Sequence, residues 1–144
     1  MKNKNLLIIS KEIDFESLPK NALKFIIDGS NIKTKLDFLN IMSSTFDFPK
    51  FGNDICNLSG FLDWMKDLSW FDDNNGKKLG ETVDMVLIIK NYSELFNGNM
   101  EEINFFIIEN FVNYILPFWE KEALNYPSVG TRKFDVYLIE DFEA

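Results

Sequence analysis

"VDMVLII", Val83–Ile89, is the stretch on which the fold turns. A strand covered on one face alternates apolar and polar side chains, whereas one covered on both faces is apolar almost throughout. Only Asp84 interrupts this run, so it reads as a central strand of a mostly parallel sheet. "FDVYLIE", Phe134–Glu140, reads as the last strand. Leu23–Ile27 reads as an earlier one, closed by the turn cluster "DGSN", Asp28–Asn31. Leu6–Ile9 is a further short apolar run, read as an extra strand at the start.

The segments between these strands have helical patterns. "DFESLPK" reads as a helical turn stopped near Pro19. Thr34-Lys35-Leu36-Asp37 is a capping-box variant, and Phe38, Leu39, Met42 and Phe46 follow at helical spacing. Met100–Ala123 carries a long helical pattern with Glu101 and Glu102 in its first turn, where carboxylates suit the helix dipole. Pro117 is expected to kink or divide it. Asp72–Lys78, "DDNNGKK", reads as an open loop. Strands separated by helical crossovers give an α/β class.

"FPKFGNDICNLSGFLDWMKDL", Phe48–Leu68, joins an aromatic turn around Pro49 and Gly52 to an amphipathic helix. Ile55, Leu58, Leu62 and Met65, with Phe61 beside them, form the apolar stripe; Ser59, Asp63, Lys66 and Asp67 lie on the other side. Asp54 or Asn57 can cap the helix start. Gly60 weakens the helix by up to about 1 kcal/mol relative to Ala, a choice that close approach by another backbone explains. The acidic side is either a solvated face or a surface for a basic partner. Trp64 is either flank packing or an exposed anchor.

The chain has 144 residues, of which 46% are hydrophobic, including fifteen Phe, so it reads as one domain with a full core. Its net charge of −8 opposes direct binding of nucleic acid or an anionic membrane. It favours solubility and a basic partner. A single Cys, Cys56, permits no internal disulfide, and the absence of His disfavours a metal site. Without His there is no Ser-His-Asp or Cys-His catalysis, and no phosphate-binding glycine motif is present. The pairs Asp63/Asp67, Glu101/Glu102 and Glu120/Glu122 leave an acid-pair enzyme as one alternative. The apolar run near the start is too short for a signal core or a membrane span, and a cytoplasmic location is expected.

"FIIDGSNIKTKLDFLNIM", "FPKFG" and "NLSGFLDWMKDLSW", in that order, resemble the barstar family of intracellular inhibitors of secreted ribonucleases. The resemblance covers residues 23–140, with residues 1–22 as an N-terminal extension of the sheet. It implies a three-stranded parallel sheet in sequential order, plus the extra N-terminal strand, with helices mainly on one face. It implies a non-enzymatic protein, without cofactor or metal, that is a monomer when free and blocks a basic, barnase-like ribonuclease or toxin domain. Anchoring on "DWMKDL" places Asn57 on the motif Asn, Ser59 on the first motif acid and Asp63 on the second. Anchoring on Gly52 puts Cys56 and Gly60 at the acid positions instead; the first register keeps the apolar stripe inward. The partner-binding residues implied are Phe51, Asn57, Ser59, Asp63, Asp67, Leu68 and Glu120, with Asp54 compensating for the acid absent at Ser59. An immunity or adaptor domain with this fold and a non-ribonuclease partner is the alternative.

Overall fold

The computed structural model describes residues 4–49, 57–74, 82–125 and 130–140. Four parallel strands form one sheet: β1 (Leu7–Ser10), β2 (Leu23–Asp28), β3 (Met85–Lys90) and β4 (Phe134–Ile139), in the order β1-β4-β3-β2. The three strands β2, β3 and β4 are thus sequential neighbours and an extra N-terminal strand joins them, as expected; the structure sets that strand, β1, beyond β4. Its register sets Leu7 beside Val136 and Ile9 beside Leu138.

Why β3 is apolar from Met85 to Ile89 follows from what covers it. Met85, Leu87 and Ile89 point into the main core with Phe134, Val136 and Leu138. Val86 and Ile88 point the other way, into a smaller cluster with Leu18, Ala22 and Ile139, flanked by Ile13 and Phe15. The steps from β2 to β3 to β4 cross the sheet in one direction, whereas the step from β1 to β2 returns in the other. Right-handed connections running in opposite directions lie over opposite faces. The helices therefore cover one face and the N-terminal connection covers the back. That connection holds the expected turn as a 3-10 helix, Phe15–Ser17, capped by Asp14.

On the helical face lie α1 (Lys35–Thr45), α2 (Leu58–Met65), α3 (Ser69–Asn74), α4 (Met100–Ile103) and α5 (Leu116–Glu120). The capping box forms at the start of α1: Thr34 Oγ1 accepts from the Asp37 N–H, and Asp37 returns a bond to the Thr34 N–H. Phe38, Leu39, Met42 and Phe46 are all buried. Gly29 ends β2 where space is shortest; an added Cβ would stand 2.8 Å from the Asn91 carbonyl oxygen.

Two expectations are corrected here. The Asp72–Lys78 stretch is not a loop from its start, because α3 runs to Asn74; residues 75–81 lie outside the described ones. Pro117 does not divide its helix. Helical backbone at Ile115 and Leu116 carries the π turn Phe111–Ile115 directly into α5, and the run continues through Pro117 to Glu120. What interrupts regular α-helix is upstream: π-helical turns at Asn104–Ile108 and Phe111–Ile115. Buried Asn110 lies between them and donates its amide to the Phe105 and Phe106 carbonyls at 3.2 and 2.8 Å. The side chain thereby supplies donors to carbonyls in the stretch where the ladder changes.

Candidate functional site

The amphipathic helix α2 is held at both ends. At its start Asn57 is the N-cap, and its Oδ1 accepts from the Gly60 N–H at 2.7 Å. At its end the Trp119 indole N–H donates to the Met65 carbonyl at 2.7 Å. Phe61 and Met65 are fully buried, while Leu58 and Leu62 are half-buried against the same core. The stripe is therefore centred on Phe61 and Met65, and Ile55 lies outside the described residues. Trp64 is flank packing: its ring sits with Phe48 and Trp70, the Trp64–Trp70 centroids 5.7 Å apart. Trp70 in turn donates to the Phe46 carbonyl at 2.9 Å.

The opposite side of α2 is open. Ser59 and Asp63 are exposed, and Lys66 and Asp67 are half-buried. No salt bridge involves Asp63 among the described residues. It lies in the last turn of α2, two residues from the end, where the helix dipole makes a negative charge unfavourable. No basic residue occupies that last turn. Asp67 lies beyond the helix and serves the next one, its Oδ1 accepting from the Ser69 N–H at 3.2 Å.

Gly60 is not explained by a neighbouring backbone. A Cβ there would meet only the capping side chain of Asn57, at 3.3 Å from its Oδ1. Leu68 also differs from expectation. It makes the corner between α2 and α3 with a φ of 54°, and its side chain is fully buried, so that side chain is not available to a partner. A left-handed backbone is strained for a branched side chain, and burial in the core holds it there. Phe51, Asp54 and Cys56 lie outside the described residues.

Below this corner sits an ion pair that sequence reading missed. Arg132 donates from Nη2 to Asp72 Oδ2 at 3.0 Å and from Nη1 to the Val83 carbonyl at 2.8 Å. The Asp72 Oδ1 accepts from the Val83 N–H at 2.8 Å. Burial pulls the Arg132 guanidinium below its ordinary value, with Asp72, Asp84 and Asp67 opposing the shift. Its signal in sequence was slight: one arginine just before a strand, sixty residues from the acid it meets.

A family model, Barstar (barnase inhibitor), matches residues 22–112. The chain belongs to the Barstar family. No curated protein and no solved structure matches it. The Barstar match runs from the end of the back-face connection through β2, α1, α2, α3, β3 and α4, and ends within the second π turn. β1, α5 and β4 lie outside it, and so does Glu120.

Relative to the Barstar helix α2, Glu120 has another duty. Its Oε1 accepts from the Asn5 N–H at 2.8 Å, so it secures the approach to β1. Glu120 and Asp84 share an open groove of about 450 Å³ with Arg132 and Lys133. Both carboxylates accept main-chain N–H groups there, Asp84 from Lys133 at 2.9 Å. Each is thus engaged in holding backbone, which weighs against an acid–base pair in that groove. Among the described residues no helix is long and apolar enough to cross a membrane.

Proposed function

We propose that this chain inhibits a ribonuclease by presenting the Asp63 end of α2 to the enzyme's basic cleft. The observation that carries the reading is the placement of Asp63: exposed, free of any salt bridge among the described residues, and at the end of the helix where a negative charge opposes stability. Features that break a local rule without a structural return concentrate at functional sites. A ribonuclease must bind a polyanion, so its cleft is basic. A carboxylate on a helix fixed at both ends can take a phosphate position there without further ordering, and the chain's net charge of −8 speeds encounter with a cationic partner. Asn57 acts by capping that helix, Ser59 and Asp63 by contact, and Asp67 at the rim. The resemblance adds Phe51 and Asp54, which lie outside the described residues, to the partner-binding set. The resemblance also adds Glu120 to that set, although its Oε1 is engaged by the Asn5 N–H.

The test mixes the purified chain with barnase, then with other small basic ribonucleases from the same source, and follows RNA cleavage. Stoichiometric loss of activity with one of them is expected; full activity of every enzyme overturns the reading. Ser59 favours a second reading, because the resemblance places an acid at that position. On that reading the fold is an immunity or adaptor domain whose partner is not a ribonuclease. Recovery of a non-nuclease partner that Asp63→Ala releases supports it.

A further inference from the structure

We infer that Arg132 is a positioning residue that fixes the α2–α3 corner, and with it the surface bearing Asp63 and Asp67, from the leading end of β4. Its side chain is fully covered and ties three segments together. It pairs with Asp72 of α3, donates to the carbonyl of Val83 just before β3, and lies 4.0 Å over the ring of Trp119 in α5. Its own main-chain N–H donates to the Trp119 carbonyl at 3.0 Å. The same Trp119 holds the last carbonyl of α2. The corner is thus gripped on both sides of Leu68, at Met65 and at Asp72.

Energetics favour geometry over stability as the reason for an arginine here. Its Nε is buried with no acceptor among the described residues. A buried pair with an unsatisfied donor stabilises poorly, and apolar residues of similar volume often serve the fold as well. What they cannot do is direct two hydrogen bonds at fixed angles from a planar fork. Arg132 lies outside the matched residues 22–112.

The value of the grip for binding rests on the inhibitor reading, and the experiment separates the two. Arg132→Met, Arg132→Lys and Asp72→Asn are compared with the parent by amide hydrogen exchange under conditions where each is folded. Exchange at Lys66, Asp67 and Phe71 is expected to quicken at least tenfold in Arg132→Met while Val136 and Leu138 in β4 are unchanged. A uniform change across both regions, or none, overturns the inference. If Arg132→Met does not fold, Arg132→Lys and Asp72→Asn carry the same comparison. With a ribonuclease that the parent inhibits, dissociation is expected to quicken at least tenfold and association to change less than threefold. Unchanged dissociation also overturns the inference. If the parent inhibits none, the inhibitor reading fails while the exchange pattern still decides the role of Arg132.

Discussion

Trp119 and Met65 stand fifty-four residues apart in the chain, yet the indole N–H of one donates to the carbonyl of the other in a fully buried bond of 2.7 Å. Replacing Trp119 by Phe keeps an aromatic ring but leaves that carbonyl without its donor. Stability is expected to fall by about 2–4 kcal/mol, the sum of an orphaned acceptor and a partly emptied ring site. Urea unfolding measures this, and an unchanged midpoint rejects it.

Asn110 offers a second test of buried polar satisfaction. Asn110→Leu keeps the branching of the side chain, though it is bulkier, and cannot donate to the Phe105 and Phe106 carbonyls. The expected loss is about 1–3 kcal/mol. A variant as stable as the parent would show that the π-helical ladder satisfies those carbonyls unaided.

Two glycines should respond in opposite ways to alanine. At Gly29 a Cβ meets the Asn91 and Lys90 carbonyl oxygens at 2.8 and 3.0 Å and Leu95 Cγ at 3.0 Å, so about 1–3 kcal/mol is lost. At Gly60 it meets only an exposed cap at 3.3 Å, and the gain in helix propensity, up to about 1 kcal/mol, largely survives. Thermal unfolding of the pair tests the ordering; equal losses refute it.

Asp63→Ala should separate binding from folding. Because the carboxylate is exposed in the last turn of a helix, its removal is expected to leave stability within about 0.5 kcal/mol or raise it slightly. Affinity for an inhibited ribonuclease is expected to fall by at least about 2 kcal/mol, the size of an interface hot spot. Calorimetric titration of the folded variant reads this directly, and an unaltered dissociation constant removes Asp63 from the interface.

Asp28 gives the pH dependence a sign. The Asn91 amide, with lesser help from Ser30 and Lys90, holds its carboxyl below the usual value against a smaller opposing effect of burial. In the unfolded chain Asp titrates near ~3.9, so on acidification the unfolded form takes up the proton first. The stabilisation is present above that value and is lost as pH falls through the lower, folded one. Asp28→Asn should flatten the acid limb of the stability curve. Superimposable limbs for parent and variant refute the assignment.

Much of the frame was legible because its signals are local. Thr34 and Asp37 form their box within one turn, and Val83–Ile89 is apolar because both its faces are covered. Phe38, Leu39, Met42 and Phe46 show their burial by spacing alone. The candidate site was less legible. Its surface side, Ser59 and Asp63, follows from the amphipathic pattern. The parts that hold it do not, because Arg132 with Asp72 and Trp119 with Met65 meet only after distant elements pack. Leu68 misled the sequence reading because no local pattern announces a buried leucine with left-handed backbone. Nor does any residue between Asn104 and Ile115 announce a ladder shifted by one.

The pairing of β1 with β4 has a consequence for how the protein is made. Leu6 bonds to Asp135 across 129 positions, so the edge strand β1 gains its neighbour only once Phe134–Ile139 has been made. Contacts of such long range slow folding, since a large loop must close before they form. During synthesis the first strand therefore waits, unpaired, until Phe134–Ile139 has left the ribosome, and truncation before Phe134 should leave that strand without its partner.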